Sequence, residues 1–530
     1  MALAALSYLL ITALLFRNLL AVLTTDLFGD LGDPLLNTAV LAWNAKHLPL
    51  TAQWWDFPSF APLSGVTAFT EHLLGAYPLT SPIIWVTGNP VLAYNVLELA
   101  CITLNGVAAY ALVRELTGSR AGAFVGGLAF AFSPFVGEQP THIQMLMAYG
   151  MPFALLGLHR YLKDGRRQHL VWFALGWLAV LLSNAYLLVF FPIVVALWVI
   201  WFFRLPDARR WAAIAATAVV ATIPAVPLLV GYRVRQSAYG FSRSLDEIKA
   251  FSAPFAAIAG ITHRSVLWKG WLPDTYFEAS LFPGFAIVAL ALVGLIAPRR
   301  RVPMFYLVTA VAMWLLAIGP ERGPYAWLLH VPGAQSIRVP ARAWLPATLG
   351  LAVCAGFGAA WLAARRHLKW MLVPMAVLLV AEAWFVGPTM KAPIAVRVGI
   401  PADAMVLNLP ISPGYGNADP QYLAVLGSYR VINGYSGYSP SYFPAVLNAV
   451  ADHRSEALAP FRALGDLYVV IRPDVEKPLV NWLETQRGLE RLPDAGSWKI
   501  YRLPRDGSSA PPRLPLPLPN HGESPISIPQ

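Results

Sequence analysis

Three aspartates stand within eight residues near the start of the chain: Asp26, Asp30 and Asp33. A carboxylate at a fixed position can act as a general base that removes the proton from an attacking hydroxyl group. Pro34 fixes the backbone directly after Asp33, so Asp33 is the first candidate for a catalytic residue and Asp30 the second. Asp26 is a boundary residue. The structural alternative is an N-cap at Asp33 and a glycine-flanked turn at Asp30.

A second group of polar side chains lies in residues 133–144. Glu138 and His142 are close enough in sequence to share a divalent ion, so both are predicted metal ligands, with Mg²⁺ or Mn²⁺ as the ion and a metal-independent reaction as the alternative. His142 and Gln144, together with His72 of an earlier segment, are predicted to bind substrate. The alternative for Glu138 is an ordinary turn at a membrane interface.

Two arginines four residues apart, Arg338 and Arg342, flank Pro340 at the start of an apolar segment. A guanidinium group matches two phosphate oxygens with two parallel hydrogen bonds. We therefore predict that Arg338 and Arg342 bind the phosphate of an anionic lipid. The alternative is that both side chains snorkel toward the polar edge of a membrane.

The composition identifies the environment in which these residues act. Of 530 residues, 57% are hydrophobic and 13% charged, whereas soluble domains have about 45 to 50% apolar and about 25% charged residues. The chain is therefore predicted to be a polytopic α-helical membrane protein. Cys101 and Cys354 lie in separate apolar runs, which excludes a disulfide framework and a CxxC site. The net charge of +11 comes from short basic runs between apolar segments, so no nucleic acid is expected as a partner.

About eleven apolar segments can cross the roughly 30 Å of a bilayer core. The predicted spans are 2–23, 90–113, 121–136, 144–162, 170–183, 186–203, 211–230, 284–297, 302–318, 343–364 and 370–386. The two spans within 170–203 are alternatively one hairpin that breaks at Ser183 and Asn184. Glu98 and Glu382 lie within spans and are expected to face a cavity or a neighbouring helix, because a carboxylate exposed to lipid costs about 2.5 to 3.5 kcal/mol.

The basic residues predict the orientation of the chain. Five short connectors, at 114–120, 163–169, 204–210, 298–301 and 365–369, hold 14 lysines and arginines in 30 residues. By the positive-inside rule these connectors are cytoplasmic. Alternation of the spans then predicts that the long loops 24–89 and 231–283, and everything after residue 387, lie on the outer side of the cell inner (plasma) membrane.

The sequence predicts three regions. Residues 1–387 form the transmembrane module with its two long outer loops. Residues 388–505 are predicted to be a soluble extracytoplasmic α/β domain, because β-type runs at 405–409, 429–433, 467–471 and 498–501 alternate with helical patterns near 440–464 and 475–487. Residues 506–530 repeat Ser, Pro and Leu-Pro and are predicted to be a disordered tail.

This layout resembles the GT-C superfamily of integral-membrane glycosyltransferases, and in particular its bacterial members. The resemblance rests on the first-loop sequence Gly29-Asp30-Leu-Gly-Asp33-Pro34, on residues 138–144 and on Arg338 with Arg342. It implies a sugar transfer from a polyprenyl-phosphate-linked donor on the non-cytoplasmic side, with a first-loop aspartate as base or metal ligand. The chain has Asp30-x-x-Asp33 where an Asp-x-Asp or Asp-Glu pair is typical of the family.

The expected enzyme is thus a hexosyl- or pentosyltransferase with a polyprenyl-phosphate sugar donor. Its acceptor is an unknown glycan, lipid or protein, and membrane lipids are expected to surround it. Two other functions stay open. A lipid or sugar transporter or flippase also has many spans, but paired repeats with broken helices are typical of transporters, and we find none in the sequence. A non-catalytic scaffold for envelope assembly would also fit a large outer domain.

Overall fold

The computed structural model describes residues 1–204, 207–296, 300–331, 333–394 and 399–506. Apart from its first residue, the predicted tail 506–530 lies outside this part of the chain. The chain divides into two units, each assembled from three separate stretches. Unit 1 consists of Met1–Leu23, Asn95–Val226 and Arg243–Pro388, and unit 2 consists of Thr24–Tyr94, Pro227–Ser242 and Thr389–Gln530.

Helices dominate unit 1, and unit 2 contains both helices and strands. Within the described residues the α-helices are α1 (Ala2–Leu15), α2 (Arg17–Leu20), α3 (Asp33–Lys46), α4 (Ala52–Trp55), α5 (Tyr77–Thr87), α6 (Pro90–Thr117), α7 (Arg120–Ala131), α8 (Pro134–Gly137), α9 (Ile143–Leu146), α10 (Gly150–Asp164), α11 (Gln168–Ser183), α12 (Ala185–Phe202), α13 (Ala208–Thr222), α14 (Val226–Ala238), α15 (Leu245–Ala250), α16 (Phe285–Ile296), α17 (Arg301–Ala317), α18 (Tyr325–Leu328), α19 (Trp344–Ala363), α20 (Leu372–Glu382), α21 (Ala418–Gly427), α22 (Phe443–Ala451), α23 (Ala459–Leu464) and α24 (Lys477–Glu484). The strands are β1 (Asp26–Phe28), β2 (Thr389–Lys391), β3 (Met405–Leu409), β4 (Arg430–Val431), β5 (Leu467–Ile471), β6 (Glu490–Ala495) and β7 (Trp498–Leu503).

Four helical stretches in the described residues are long and apolar enough to cross a membrane: Pro90–Thr117, Ala185–Phe202, Ala208–Ala238 and Pro340–Ala363. Five further apolar helices, α1, α7, α11, α16 and α17, are shorter. Each of the eleven predicted spans overlaps a helix of the structure. Nine overlap the apolar helices just named, and the other two, 144–162 and 370–386, overlap α10 and α20. The structure therefore has helices able to cross a membrane, and the number eleven stays a prediction.

Asn184 separates α11 from α12, at the position where the sequence allowed a break. Its backbone is extended, and its side-chain Oδ1 accepts hydrogen bonds from the N–H groups of Tyr186 at 2.8 Å and Leu187 at 3.1 Å. This is the N-cap function, in which an amide oxygen satisfies N–H groups that the first helical turn leaves unpaired. The apolar segment is thus two helices because one polar residue begins the second.

Small residues bring the helices of unit 1 close together. A Cβ atom at Gly122 in α7 would lie 2.6 Å from the carbonyl oxygen of Gly356 in α19, and one at Gly358 would lie 1.9 Å from the carbonyl oxygen of Leu290 in α16. No side chain fits at either distance. The contacts of α19 with α7 and α16 therefore depend on glycine, as close helix packing in membranes commonly does.

A five-stranded sheet lies in unit 2, in the order β4-β3-β5-β7-β6. Strand β3 pairs in parallel with β4 and β5, and β7 pairs antiparallel with β5 and β6. One face of the sheet packs against α22, α23 and α24, and the other contributes Val406 and Val470 to a cluster with Ala424 of α21. The predicted runs coincide with β3, β4, β5 and β7, whereas β6 and α21 were not expected.

Residues of the first predicted outer loop extend this sheet beyond β4. The Val431 N–H donates to the Pro58 carbonyl, and the Ala61 N–H donates to the Val431 carbonyl, both at 2.9 Å. Strand β1 pairs antiparallel with β2. Although the sequence assigned residues 24–89 and 388–505 to different regions, the structure groups residues 24–94 with residues 389–530.

Candidate active-site residues

Asp33 is the first residue of α3, and Gly32 precedes it as the N-cap. Asp33 therefore does not occupy the capping position that its structural alternative required. Its carboxylate lies in the first turn, where the helix dipole favours negative charge. Asp30 has the expected turn role, because its Oδ1 accepts the Gly32 N–H at 2.7 Å. Both aspartates are half-buried, so each keeps partial access to solvent.

Tyr435 donates a hydrogen bond from its hydroxyl group to Oδ1 of Asp33 at 2.6 Å. Tyr435 is 402 positions from Asp33 along the chain and was not among the predicted site residues. The available signal was the run Asn-Gly-Tyr-Ser-Gly-Tyr at 433–438, directly after a β-type run. In sheets with parallel strands, loops at the carboxyl ends often carry binding residues, and this loop follows β4, which pairs in parallel with β3.

Three buried amide side chains hold the segment that carries Tyr435. Asn433 donates through Nδ2 to the Asn408 carbonyl at 2.9 Å and to Oδ1 of Asn417 at 3.1 Å, and its Oδ1 accepts the Asn408 N–H at 2.8 Å. Gln421 accepts the Tyr435 N–H through Oε1 at 3.1 Å. Because buried amides are costly to leave unpaired, this network favours one conformation of the segment.

Tyr415 contacts Gly32, which lies between Asp30 and Asp33 in the sequence. A Cβ atom at Gly32 would lie 3.0 Å from both Cβ of Tyr415 and Oδ1 of Asp30, so any larger residue would make these neighbours shift. The Tyr415 side chain is 66% exposed. An aromatic ring that is open to solvent thus accompanies Asp30 at the start of α3.

His72, predicted to bind substrate, is buried in unit 2. Its Nδ1 accepts the Leu74 N–H at 3.1 Å, and its ring meets the ring of Tyr232 edge-on with centroids 5.9 Å apart. Burial lowers the pKa of His72 to about 4, so the ring is neutral at neutral pH. The described contacts of the His72 side chain are with the protein, and its substrate-binding role stays a prediction.

Arg342, His142 and Glu278 lie together in unit 1. Arg342 donates through Nε and Nη2 to the Glu278 carboxylate and lies over the Tyr186 ring, 4.4 Å from its centroid. His142 stacks on Phe277, and its Nε2 is 3.8 Å from Oε1 of Glu278. Burial alone would raise the pKa of Glu278, but Arg342 and then His142 outweigh it and hold this pKa below its usual value.

Arg342 and His142 were predicted from the sequence, but Glu278 was not. The Glu278 carboxylate accepts the guanidinium hydrogen bonds that were predicted to go to a phosphate. Arg338 has a different partner: its Nη1 is 3.7 Å from Oε1 of Glu247, which also accepts from Arg243 at 3.0 Å. Arg342 lies within a 3₁₀ helix at Pro340–Ala343, whereas Arg338 precedes that helix. Arg338 and Arg342 thus contact different glutamates, and neither pairing was evident from their spacing.

Glu138 and Gln144 are both buried in unit 1. Oε1 of Glu138 accepts from the Thr262 N–H at 3.1 Å and from the Ser280 hydroxyl at 3.3 Å, and burial raises the pKa of this carboxyl group. The main-chain carbonyl of Gln144 accepts a hydrogen bond from Nδ2 of Asn184 at 2.6 Å. Over the described ranges, no three His, Cys, Asp or Glu side chains are grouped to hold a metal ion. A cation requirement stays a prediction.

The two acidic residues within predicted spans are buried, as their desolvation cost requires. Glu382 accepts hydrogen bonds from the N–H groups of Phe285 and Ala286 at the start of α16, and from Nε1 of Trp268. It thereby satisfies donors that a helix N-terminus leaves unpaired. Glu98 of α6 is completely buried. Neither residue is exposed to lipid, which confirms the expectation for both.

The chain is similar to known proteins in its sequence family and in its fold. A family described as Domain of unknown function (DUF6311) matches residues 91–384. No curated protein matches the chain. The arabinofuranosyltransferase AftD from Mycobacteria is similar in structure, with a TM-score of 0.61 at 15% identity over 96% of this chain. ArnT from Cupriavidus metallidurans, in the apo state, is similar with a TM-score of 0.51 at 12% identity, over 97% of this chain and 99% of that one.

Both structural neighbours are GT-C glycosyltransferases. This likeness confirms the GT-C fold that the sequence resemblance predicted. The chain spans 40% of the length of AftD.

Proposed function

We propose that this chain, which belongs to the DUF6311 family, is a multi-pass glycosyltransferase of the inner (plasma) membrane. It transfers a hexose or a pentose from a polyprenyl-phosphate-linked donor to a glycan, lipid or protein acceptor on the extracytoplasmic side. The observation that carries the proposal is the half-buried Asp33 carboxylate at the first turn of α3, in a chain with the GT-C fold.

Asp33 is the proposed general base. The acceptor hydroxyl gives its proton to the Asp33 carboxylate while its oxygen forms a bond to the anomeric carbon of the donor sugar. The bond between that carbon and the phosphate oxygen breaks, and the polyprenyl phosphate leaves with the electron pair. Asp30 is the second candidate for this role. Asp33 is preferred because it lies in the first turn of α3, whereas Asp30 belongs to the turn that precedes the helix.

The donor-binding residues of the proposal are in unit 1. A leaving phosphate needs neutralisation by cations or hydrogen-bond donors, and Arg338 and Arg342 supply guanidinium groups, with His142 and Gln144 as further candidates. Arg338 is the stronger candidate, because its side chain is 22% exposed, whereas that of Arg342 is 4% exposed. Arg342 would have to exchange Glu278 for phosphate, which adds a cost to binding.

The test uses the full-length protein in nanodiscs, with a panel of polyprenyl-phosphate-linked pentoses and hexoses as donors and an extract of cell-envelope glycans, lipids and proteins as the source of acceptor hydroxyl groups. Mass spectrometry detects the released polyprenyl phosphate. Asp33→Asn should lower turnover by about 100- to 10,000-fold, the usual contribution of a general base. Asp26→Asn is the matched control: it makes the same change in the same segment, at a residue outside the proposed site, and should keep wild-type turnover.

The same variants separate the alternatives. A flippase or transporter would move lipid-linked sugar in a vesicle assay without release of polyprenyl phosphate, and a scaffold would do neither. Wild-type turnover in Asp33→Asn would remove Asp33 as the base and shift the assignment to Asp30. Identification by mass spectrometry of the lipid that co-purifies with the protein would narrow the donor panel.

A further inference from the structure

We propose that Tyr435 is a positioning residue for Asp33, so that the segment after β4 takes part in catalysis. This inference rests on the proposed function, because it assigns Asp33 as the base. Its starting observation is the hydrogen bond of 2.6 Å from the Tyr435 hydroxyl group to Oδ1 of Asp33. Residues 389–506 then do more than complete a sheet: they supply a group that sets the geometry of the reacting carboxylate.

A carboxylate in the first turn of a helix can rotate about its Cβ–Cγ bond, because that torsion has a broad energy profile. A general base must hold its reacting oxygen within hydrogen-bond reach of the proton it removes. The phenol of Tyr435 anchors one oxygen of Asp33 and so fixes this rotation. Hydrogen bonds to an ionised acceptor are shorter and stronger than those between neutral groups, which agrees with the short distance.

Tyr435 can fix Asp33 because its own backbone is fixed. Gln421 of α21 accepts the Tyr435 N–H, and Asn433, two residues earlier, is bonded to Asn408 of β3 and to Asn417. Asn417, Gln421 and Asn433 are completely buried, whereas Tyr435 is half-buried. A rigid support behind a partly accessible side chain is the arrangement that holds a functional group in its productive geometry.

The structural alternative is that the bond merely ties the start of α3 to the sheet. Tyr442 supplies the comparison, because its hydroxyl group makes a bond of that purely structural kind, to the Phe60 carbonyl at 2.9 Å. The two tyrosines lie in the same unit, and their bonds join the same two parts of the chain. They differ in the partner: a candidate catalytic carboxylate for Tyr435, backbone for Tyr442.

The experiment compares Tyr435→Phe with Tyr442→Phe in the polyprenyl-phosphate sugar assay, as a function of pH. Loss of the phenol removes a hydrogen bond that favours the ionised carboxylate, so in Tyr435→Phe the acid limb of the kcat/KM profile should move up by roughly 0.5 to 1 pH unit. The kcat value at neutral pH should fall about tenfold, because the base is less well oriented. Tyr442→Phe should lose thermal stability but keep the wild-type pH profile.

A double variant makes the test specific. If Tyr435 acts through Asp33, Tyr435→Phe should change the residual rate of Asp33→Asn by less than twofold, since the group that it positions is already disabled. A tenfold further loss in that background would overturn the inference, and so would a wild-type profile and rate in Tyr435→Phe. A wild-type protein without sugar transfer from any donor in the panel would overturn the proposed function and this inference with it.

Discussion

Glu278 accepts hydrogen bonds from Nε and Nη2 of Arg342, and each of these side chains is only 4% exposed. The two charges are therefore paired out of contact with water. A buried pair of this kind gives little net stability over an apolar pair, but removal of one partner leaves the other charge without compensation. Arg342 is thus part of the structural interior of unit 1 as well as a candidate ligand for phosphate.

Glu278→Gln should lower the free energy of unfolding by about 3 to 5 kcal/mol, because the Arg342 charge stays buried without its counter-ion. Thermal unfolding of the detergent-solubilised protein is the measurement. Asp452→Asn is the control, since the Asp452–Arg454 pair is exposed and such pairs contribute about 1 kcal/mol or less. Equal effects of the two substitutions would contradict the importance of burial.

Arg338→Ala should weaken binding of undecaprenyl phosphate more than about fivefold, which exceeds the contribution of an exposed ion pair. Arg338→Lys should restore little of the loss, because an ammonium group cannot form two parallel hydrogen bonds. Native mass spectrometry with added undecaprenyl phosphate measures the binding. Lys249→Ala, which removes a cation paired with Glu321, should bind as wild type. Unchanged binding by Arg338→Ala would return Arg338 to a snorkelling role.

His72 makes stability depend on pH. Burial lowers its pKa to about 4 in the folded chain, whereas an unfolded chain takes up the proton near pH 6.5. The unfolded state therefore binds more protons between these values, and stability should fall by about 2 to 3 kcal/mol as the pH drops from 6.5 to 4. His72→Asn should flatten this part of the curve of melting temperature against pH, and His263→Asn, at an exposed position, should not. Parallel curves for His72→Asn and wild type would contradict the prediction.

The three stretches of unit 2 should lie on one side of the membrane, the outer side according to the basic connectors. Because Cys101 and Cys354 are buried, single cysteines can report on exposure. An exposed thiol is introduced into each of the three stretches by the substitutions Gln53→Cys, Ser237→Cys and Ser441→Cys. A membrane-impermeant maleimide should label all three variants in intact cells. Gln168→Cys, in a predicted cytoplasmic connector, should react only after lysis. Labelling of Gln168→Cys in intact cells would reverse the orientation.

Local sequence patterns predicted those features that neighbouring residues determine. Pro34 indicated a helix start at this point, although the N-cap of α3 is Gly32 and not Asp33. Asn184 indicated a break between two apolar helices. The burial of Glu98 and Glu382 followed from the cost of a carboxylate in lipid. Each of these inferences depends on interactions within a few residues, or on the solvent alone.

Long-range partners were not predictable, because no local pattern encodes them. Arg338 and Arg342 were both predicted to bind a phosphate, yet each meets a glutamate from another segment, and Arg342 lies in a 3₁₀ helix that begins at Pro340. Likewise, nothing near Asp33 indicates a tyrosine 402 positions away. The acidic residues could be ranked as candidate catalytic residues from the sequence, whereas their hydrogen-bond partners could be identified only in the structure.

The joining of residues 58–61 to the sheet has a consequence for biosynthesis. Tyr442 bonds to the carbonyl of Phe60 across a separation of 382 residues, and at about 5 to 20 residues per second a ribosome needs roughly 20 to 80 s to add them. Throughout that time the early segment, which includes Trp54 and Phe60 that end up completely buried, has no strand to join. We therefore expect the nascent chain to need protection from aggregation until translation is nearly finished.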